Sequence, residues 1–436
     1  MRSDWLATLH CPYSGSKFIT SKIVKGADDE IDYGIITSEA GDFPIVDGIL
    51  RLRVDEYRSL LVSLIKRDQY KQALLMALEY PSYSRTGAAI NFMDRLANTT
   101  GFEIVARGGR ALKTQLYSAM VTDTFFGTVK RLKSKSWGNW QIYRFSMPAF
   151  VPVYPLLHLI RGNGTVLDFG CGVGHAAFLI SRKMPASSIT CVDYQFSLLY
   201  LAKRFFVPDA NFLSLDGNYL LPFPSSSFSC VVSSDVLHLI DSKVSLSREF
   251  QRIVSNDGAV VMPHLHNKLS PIQFAKSLTP EAYGNLFERS EKRVIPEDRL
   301  VDEYVRNDSL DLEKRWTSEE LHDAIRGLTI IVSKDVTLFR RYTGLWNRFI
   351  ECMRNPAINP LYRISGAPGR WVLQKEDPDP RGKLSLNNEA CLPETVTLNL
   401  PLLDQSALLT LRSSDYPTFA ELTRKFVIVD VPERFC

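Results

Sequence analysis

Three acidic residues and three glycines stand out by type and spacing. Asp168 precedes a Gly170-x-Gly172-x-Gly174 turn, Asp193 closes the next apolar run, and Asp216-Gly217 follows a third. Glycines at alternate positions let a backbone turn sharply and approach a ligand without a Cβ in the way. A carboxylate at the end of a strand suits two vicinal ribose hydroxyls, which both donate to it. This points to an adenosine-containing ligand. The spacing is G-x-G-x-G, not the G-x-G-x-x-G that seats a pyrophosphate on a helix N-terminus. A carboxylate at Asp168 would repel pyrophosphate and attract a cation, such as an ammonium or a sulfonium. A second group of polar residues sits further along: Ser234, Asp235 and His238 after one apolar run, His264 and His266 after another. A histidine beside a reacting oxygen or nitrogen can take its proton. His264 and His266 share a face if the chain stays extended. Two histidines at i and i+2 could also hold a metal, but no carboxylate or cysteine cluster adjoins them in sequence, so the metal expectation is none.

These residues need a parallel sheet to position them. Val166–Leu167 and Ile189–Val192 read as short apolar strands, and Ala177, Ile180, Ser181 and Met184 recur at helical spacing between them. The string LDFGCGVG resembles the first motif of class I S-adenosylmethionine methyltransferases. Asp216, Leu221-Pro222-Phe223, Phe228, Val231-Val232 and Val236-Leu237-His238 resemble the third and fourth strands of the small-molecule members that include the ubiquinone-biosynthesis methyltransferases. Glu249–Met262 resembles the helix, turn and fifth strand that follow, with Asn256-Asp257-Gly258 in place of the usual Lys-Pro-Gly.

The resemblance implies an α/β fold: a Rossmann-like seven-stranded class I methyltransferase core. It implies S-adenosylmethionine as cofactor, held by Asp168, Gly170, Gly172, Gly174, Asp193 with Tyr194, Asp216, Gly217, Ser234 and Asp235. Among these, Asp193 meets the ribose, Asp168 the methionine ammonium and Asp216 the adenine amino group. His264, His266 and His238 are the candidate catalytic residues. His175 reads as a surface or helix-start residue.

Around this core, residues 5–53 resemble a small zinc-ribbon-like methyltransferase-activator domain, through Leu9, Cys11-Pro12 and Phe43-Pro44-Ile45 with Asp47-Gly48-Ile49. Zinc needs paired ligands, and Cys11-Pro12-Tyr13-Ser14 lacks the second cysteine, so a metal-free β-rich domain is expected. The expected layout is a degenerate ribbon domain at 1–53, a helical linker at 54–135, the methyltransferase domain at 136–376 and a C-terminal extension at 377–436. Within the third, residues 267–315 read as a helical cap over the acceptor, Leu328–Val332 as the sixth strand and Trp371–Lys375 as the seventh. Trp137–Phe150 is expected to pack across the cofactor pocket.

The chain has 436 residues, 45% hydrophobic and 23% charged, with a net charge of +4, which describes an ordinary globular protein. That charge is too small to call for nucleic acid, and the basic run Lys130–Lys135 reads as a solvated helix end. Seven scattered cysteines and no signal peptide favour a reducing, cytoplasmic setting. The longest apolar stretch, Met147–Ile160, is broken by three prolines and cannot span a bilayer. The leading expectation is therefore methyl transfer to an oxygen or nitrogen of a small-molecule acceptor. The alternatives are an enzyme acting on tRNA, rRNA or protein, or a non-catalytic protein on the same fold. Oligomeric state is left open.

Overall fold

The computed structural model describes the chain except residues 27–29, 79–110, 112–113, 116, 119–120, 132–134, 272–275, 289, 325–326 and 377–390, and the side chains of 135–137. Much of the expected linker and part of the basic run therefore lie outside the described residues.

The strands are β1 (Ile19–Lys25), β2 (Ile31–Ser38), β3 (Gly41–Val46), β4 (Ile49–Arg51), β5 (Val166–Phe169), β6 (Ile189–Asp193), β7 (Asn211–Ser214), β8 (Phe228–Val232), β9 (Val254–Leu265), β10 (Glu291–Pro296), β11 (Ser309–Asp311) and β12 (Leu328–Ser333). All but β11 join one sheet in the order β1-β2-β3-β4-β7-β6-β5-β8-β9-β12-β10. The run from β4 through β7, β6, β5 and β8 to β9 is parallel, whereas β12 runs antiparallel to both its neighbours, β9 and β10. Helices His175–Ser181, Phe196–Leu201 and Lys243–Ile253 connect the parallel strands. The parallel strands are buried and mainly apolar because both faces are covered. Alternate residues divide between two cores: Val166, Cys191, Phe212 and Val261 on one side, Leu167, Val192, Leu213 and Val260 on the other. The fold is thus α/β with a Rossmann-like class I core, as expected.

Two assignments are corrected. The sixth strand of the core is β10, and the stretch read as the sixth, Leu328–Val332, belongs to β12, the seventh, lying between β9 and β10. Trp371–Lys375 belongs instead to a separate three-stranded sheet with Tyr362–Ala367 and Thr395–Leu398. Hence residues 267–315 are not wholly a cap: they carry β10 and the helix Glu297–Asn307. β10 escaped notice because it is an edge strand, and Glu291-Lys292-Arg293 carries the charges that edges favour. The helix at Ser318 does begin with the expected capping box, Thr317 with Glu320.

The second finding concerns the N-terminus. Residues 1–53 are β-rich, but their strands extend the central sheet through β4, whose Ile49, Leu50 and Arg51 pair with Phe212, Leu213 and Ser214 of β7. Because β4 is parallel to β7, the chain leaving it emerges at the carboxyl edge of the core. At the other end of the chain, Asp430 forms a buried ion pair with Arg182, 2.6 Å, and Phe435 packs on Phe125, Phe145 and Phe206. No helix among the described residues is long and apolar enough to cross a membrane.

Candidate functional site

A cavity of about 570 Å³ opens at the carboxyl ends of β5, β6, β7 and β8, the place where open parallel sheets bind ligands. Its wall includes every residue expected to hold the cofactor except Gly174: Asp168, Gly170, Gly172, Asp193, Tyr194, Asp216, Gly217, Ser234 and Asp235. Gly174 stands just behind, capping the helix His175–Ser181 at φ 88. The glycine turn is necessary in two different ways. Gly172 has φ 56, and a Cβ there would project into open space. Gly170 has φ 72, and a Cβ would lie 2.2 Å from Val236. One glycine keeps the floor clear, and the other lets the turn pack on the loop after β8.

The carboxylates are arranged unequally. Asp193 accepts the amides of Gly172, 2.9 Å, and Gln195, 2.8 Å. It locks the turn to its own strand, and lone pairs of its four remain for hydroxyls. Asp168 is 1% exposed and accepts the Ala177 amide at 3.0 Å. Burial pushes its carboxyl up to about 7, against the bond from Ala177. A buried carboxyl so placed is stabilised by an incoming cation. Burial raises Asp193 as well. Asp216 accepts the amide and side chain of Asn218, both at 2.9 Å. Two polar atoms of wall residues, Ser234 Oγ and Gln195 Oε1, are buried with no hydrogen-bond partner among the described residues. Such atoms are costly unless a ligand completes them. The acids, the cleared floor and the two unpartnered polar atoms fit an adenosyl group bearing an amino-acid cation.

Tyr194 and the N-terminal segment meet at the rim. The Arg53 guanidinium lies 3.8 Å from the centre of the Tyr194 ring and donates to its hydroxyl at 2.9 Å. Arg53 in turn pairs with Asp55 at 3.1 Å. From the pre-core segment, Trp140, Gln141, Arg144 and Phe150 line the cavity as expected, and the Trp137 side chain lies outside the described residues. His175 starts its helix but is buried, not at the surface: its Nε2 sits 2.9 Å from the Gln141 carbonyl, and burial pulls it down to about 3.

The three candidate catalytic histidines converge at the ends of β8 and β9. The His238 and His266 rings are 4.4 Å apart and those of His264 and His266 are 5.1 Å apart. The chain is not extended there, however: His264 has φ 59. The ladder to β12 slips between Leu328 and Ile330, because Pro263 has no amide to give and the His264 amide turns to Glu297. Glu297 also accepts His264 Nδ1 at 2.7 Å and Thr329 Oγ1 at 3.1 Å. Although burial opposes charge on His264, Glu297 outweighs it and raises the imidazole. His238 and His266 are instead pulled down to about 4, chiefly by burial, and are neutral at neutral pH. Asp235, at φ 64, faces both and takes Arg144 at 3.3 Å.

Sequence reasoning missed Arg144 and Glu297. Neither lies in a motif; each is brought in from a distant segment, and a buried charge is recognisable only once its partner is placed.

Residues 167–262 match the family profile described as a methyltransferase domain. No curated protein matches. Solved structures with a similar fold include a TehB-like SAM-dependent methyltransferase from Corynebacterium glutamicum, 14% identical over 42% of this chain and 88% of that one, with a TM-score of 0.31. Others are a SAM-dependent methyltransferase described as a possible histamine N-methyltransferase from Thermotoga maritima (16%, 46% and 95%, TM-score 0.31) and a SAM-dependent methyltransferase from Aquifex aeolicus (14%, 48% and 96%, TM-score 0.31). Residues 167–262 are thus a methyltransferase domain, with S-adenosylmethionine as cofactor.

Proposed function

We propose that the protein transfers the methyl group of S-adenosylmethionine to an oxygen or nitrogen of a small-molecule or biosynthetic-intermediate acceptor. The observation that carries this reading is the convergence of the cavity, with its three strand-end acids, and the polar cluster Asp235, His238 and His266 along one edge of the sheet. In this reading Asp193 takes the ribose hydroxyls, Asp216 and Gly217 the adenine, and Asp168 and Ser234 the methionine end. Methyl transfer is an in-line displacement, so most of the enzyme's work is alignment. When bound, the cofactor would supply the methyl and keep the broken bond's electron pair on sulfur as a neutral thioether, and a hydroxyl or amine acceptor must shed a proton. His266 and His238 are the groups to receive it; burial holds them neutral and, at about 4, makes them weak bases. His264, tied to Glu297, is the positioning residue that sets the His266 ring.

The N-terminal strands act in this reading as a built-in, metal-free scaffold of the methyltransferase-activator kind, reaching the cofactor rim through Arg53. Seven cysteines without a disulfide among the described residues suit a reducing compartment.

The test is release of S-adenosylhomocysteine from purified protein supplied with S-adenosylmethionine and panels of hydroxylated and amine-bearing metabolites. Release that depends on a small acceptor, and is lost in Asp193→Ala, supports the reading. Release seen only with RNA or protein fractions overturns it.

A further inference from the structure

β8 and β9 are parallel neighbours and end at the same edge, so the loops that follow them lie side by side. The loop after β8 supplies Asp235 and, three residues on, His238; the chain leaving β9 supplies His266. Asp235 Oδ1 is 3.7 Å from His238 Nε2 and 3.9 Å from His266 Nε2. One ligand atom from each of the three residues lies within 4.8 Å of the others, and among the described residues this is the group of histidine, cysteine and acidic side chains close enough to share an ion. A tetrahedral ion with bonds of about 2.1 Å has ligand-to-ligand edges of about 3.4 Å. Two of the three edges are therefore within about half an ångström of that distance, and the group as a whole spans no more than 4.8 Å.

We infer that Asp235, His238 and His266 form a binding site for one divalent first-row transition-metal ion of the zinc class, beside the cofactor cavity, whose wall Asp235 alone of the three lines. The donor chemistry selects the ion. Two imidazoles and one carboxylate suit zinc, cobalt, nickel or ferrous iron. Thiolates, which would favour copper(I), are missing from the group, and an all-oxygen shell, which magnesium and calcium need, is missing as well. The surroundings divide the Asp235 carboxylate between two partners. Arg144 holds Oδ2 at 3.3 Å, leaving Oδ1 toward the histidines, and its charge weakens the affinity without blocking the site. His264 stands behind His266, but its Nδ1 is committed to Glu297, so it orients the cluster and is not a ligand. The left-handed backbone at Asp235, φ 64, is a strained arrangement of the kind kept where a side chain must be aimed.

Three protein ligands leave the fourth position of such an ion open, and Asp235 lines the cavity. An oxygen or nitrogen of the acceptor can take that position. This last role, unlike ion binding itself, rests on the methyl-transfer reading. A nitrogen that holds the ion cannot also take a proton, so in the loaded protein His238 and His266 are ligands and the ion acidifies whatever it binds.

The full-length protein, stripped with chelator and dialysed, is titrated with cobalt(II) alone while its visible d–d absorption is followed, and bound zinc is then counted by mass spectrometry after exchange. The expected result is one equivalent taken up with the intense bands of a four- or five-coordinate site. Affinity should fall more than about tenfold on loss of a ligand in His266→Ala and in Asp235→Asn and stay unchanged in His322→Ala, whose histidine pairs with Glu281 on the surface. His266 is only partly buried, and melting curves confirm that the variants fold. Should one ligand variant fail to fold, the other and the wild-type stoichiometry decide. No stoichiometric uptake by wild type, or uptake that the ligand variants leave intact, overturns the inference. S-adenosylhomocysteine binding on the same sample reads the cofactor site separately: cofactor binding without cobalt uptake refutes the metal site alone.

Discussion

Replacing Glu297 should unfasten the corner that holds the histidines without touching the cofactor. Its carboxylate is 2% exposed and accepts the His264 amide, His264 Nδ1 and Thr329 Oγ1. Glu297→Ala leaves all three donors buried and unpaired, and removes the carboxylate whose charge raises the His264 imidazole. Removing one partner of a buried ion pair costs about 3–5 kcal/mol. At about 2 °C per kcal/mol for a chain of this size, the melting temperature should fall by about 6–10 °C. Glu297→Gln keeps an acceptor for the His264 amide and should lose roughly half as much. The pH dependence has a definite sign. The folded-state value of His264 is raised above its ordinary 6.5, so its contribution is present below 6.5, as long as Glu297, itself raised by burial, stays ionised, and is lost as pH rises through the folded value. The gap between wild type and Glu297→Gln should therefore narrow on the alkaline side. Neither side chain lines the cavity, so S-adenosylhomocysteine affinity should change by less than about threefold. Thermal melts followed by circular dichroism from acid to alkaline pH read the stability, and calorimetry reads the affinity. An unaltered melting temperature in Glu297→Ala would refute the buried pair; a gap that widens with pH would refute its charge state.

Two further outcomes follow from the glycine turn and from Asp168. Gly172→Ala should fold with a loss of about 1–2 kcal/mol for a left-handed alanine and weaken S-adenosylhomocysteine by more than about tenfold, because its methyl enters the cavity floor. Gly170→Ala drives a methyl into Val236 and should show mainly as a lowered melting temperature, so equal effects of the two would contradict the division of labour between them. Asp168, pushed up to about 7, lowers stability as pH climbs from 3.8 through that value. A bound ammonium should draw it back down and release a proton. Titrations near pH 7 in buffers of different ionisation enthalpy should register that proton for wild type and not for Asp168→Asn; buffer-independent heats would contradict it.

Sequence carried far where the chemistry is local. Gly170, Gly172, Asp193 and Asp216 sit within a few residues of the strands that aim them, so spacing alone placed them on one cavity. His238 and His266 were expected at the right edge, but not the carboxylate between them, because Asp235 reaches His266 only through the adjacency of β8 and β9. β4 has three residues and a partner in β7 more than 150 positions away; nothing in its composition says whether it closes a separate domain or extends the sheet. β10 was hidden by its charges, and with it went Glu297, the first residue of the helix that follows. What could not be read was pairing across the fold, and the polar partners of the histidines depend on that pairing.

The central claim is a working S-adenosylmethionine site built on Asp193. Calorimetric titration of the purified protein with S-adenosylhomocysteine, beside Asp193→Ala, tests it most directly. The account predicts micromolar or tighter binding by wild type and a loss of more than about tenfold in the variant, the consequence of leaving two hydroxyls and the amides of Gly172 and Gln195 without their acceptor. Equal binding by the two proteins would contradict the ribose assignment, and no binding by wild type would contradict the site itself.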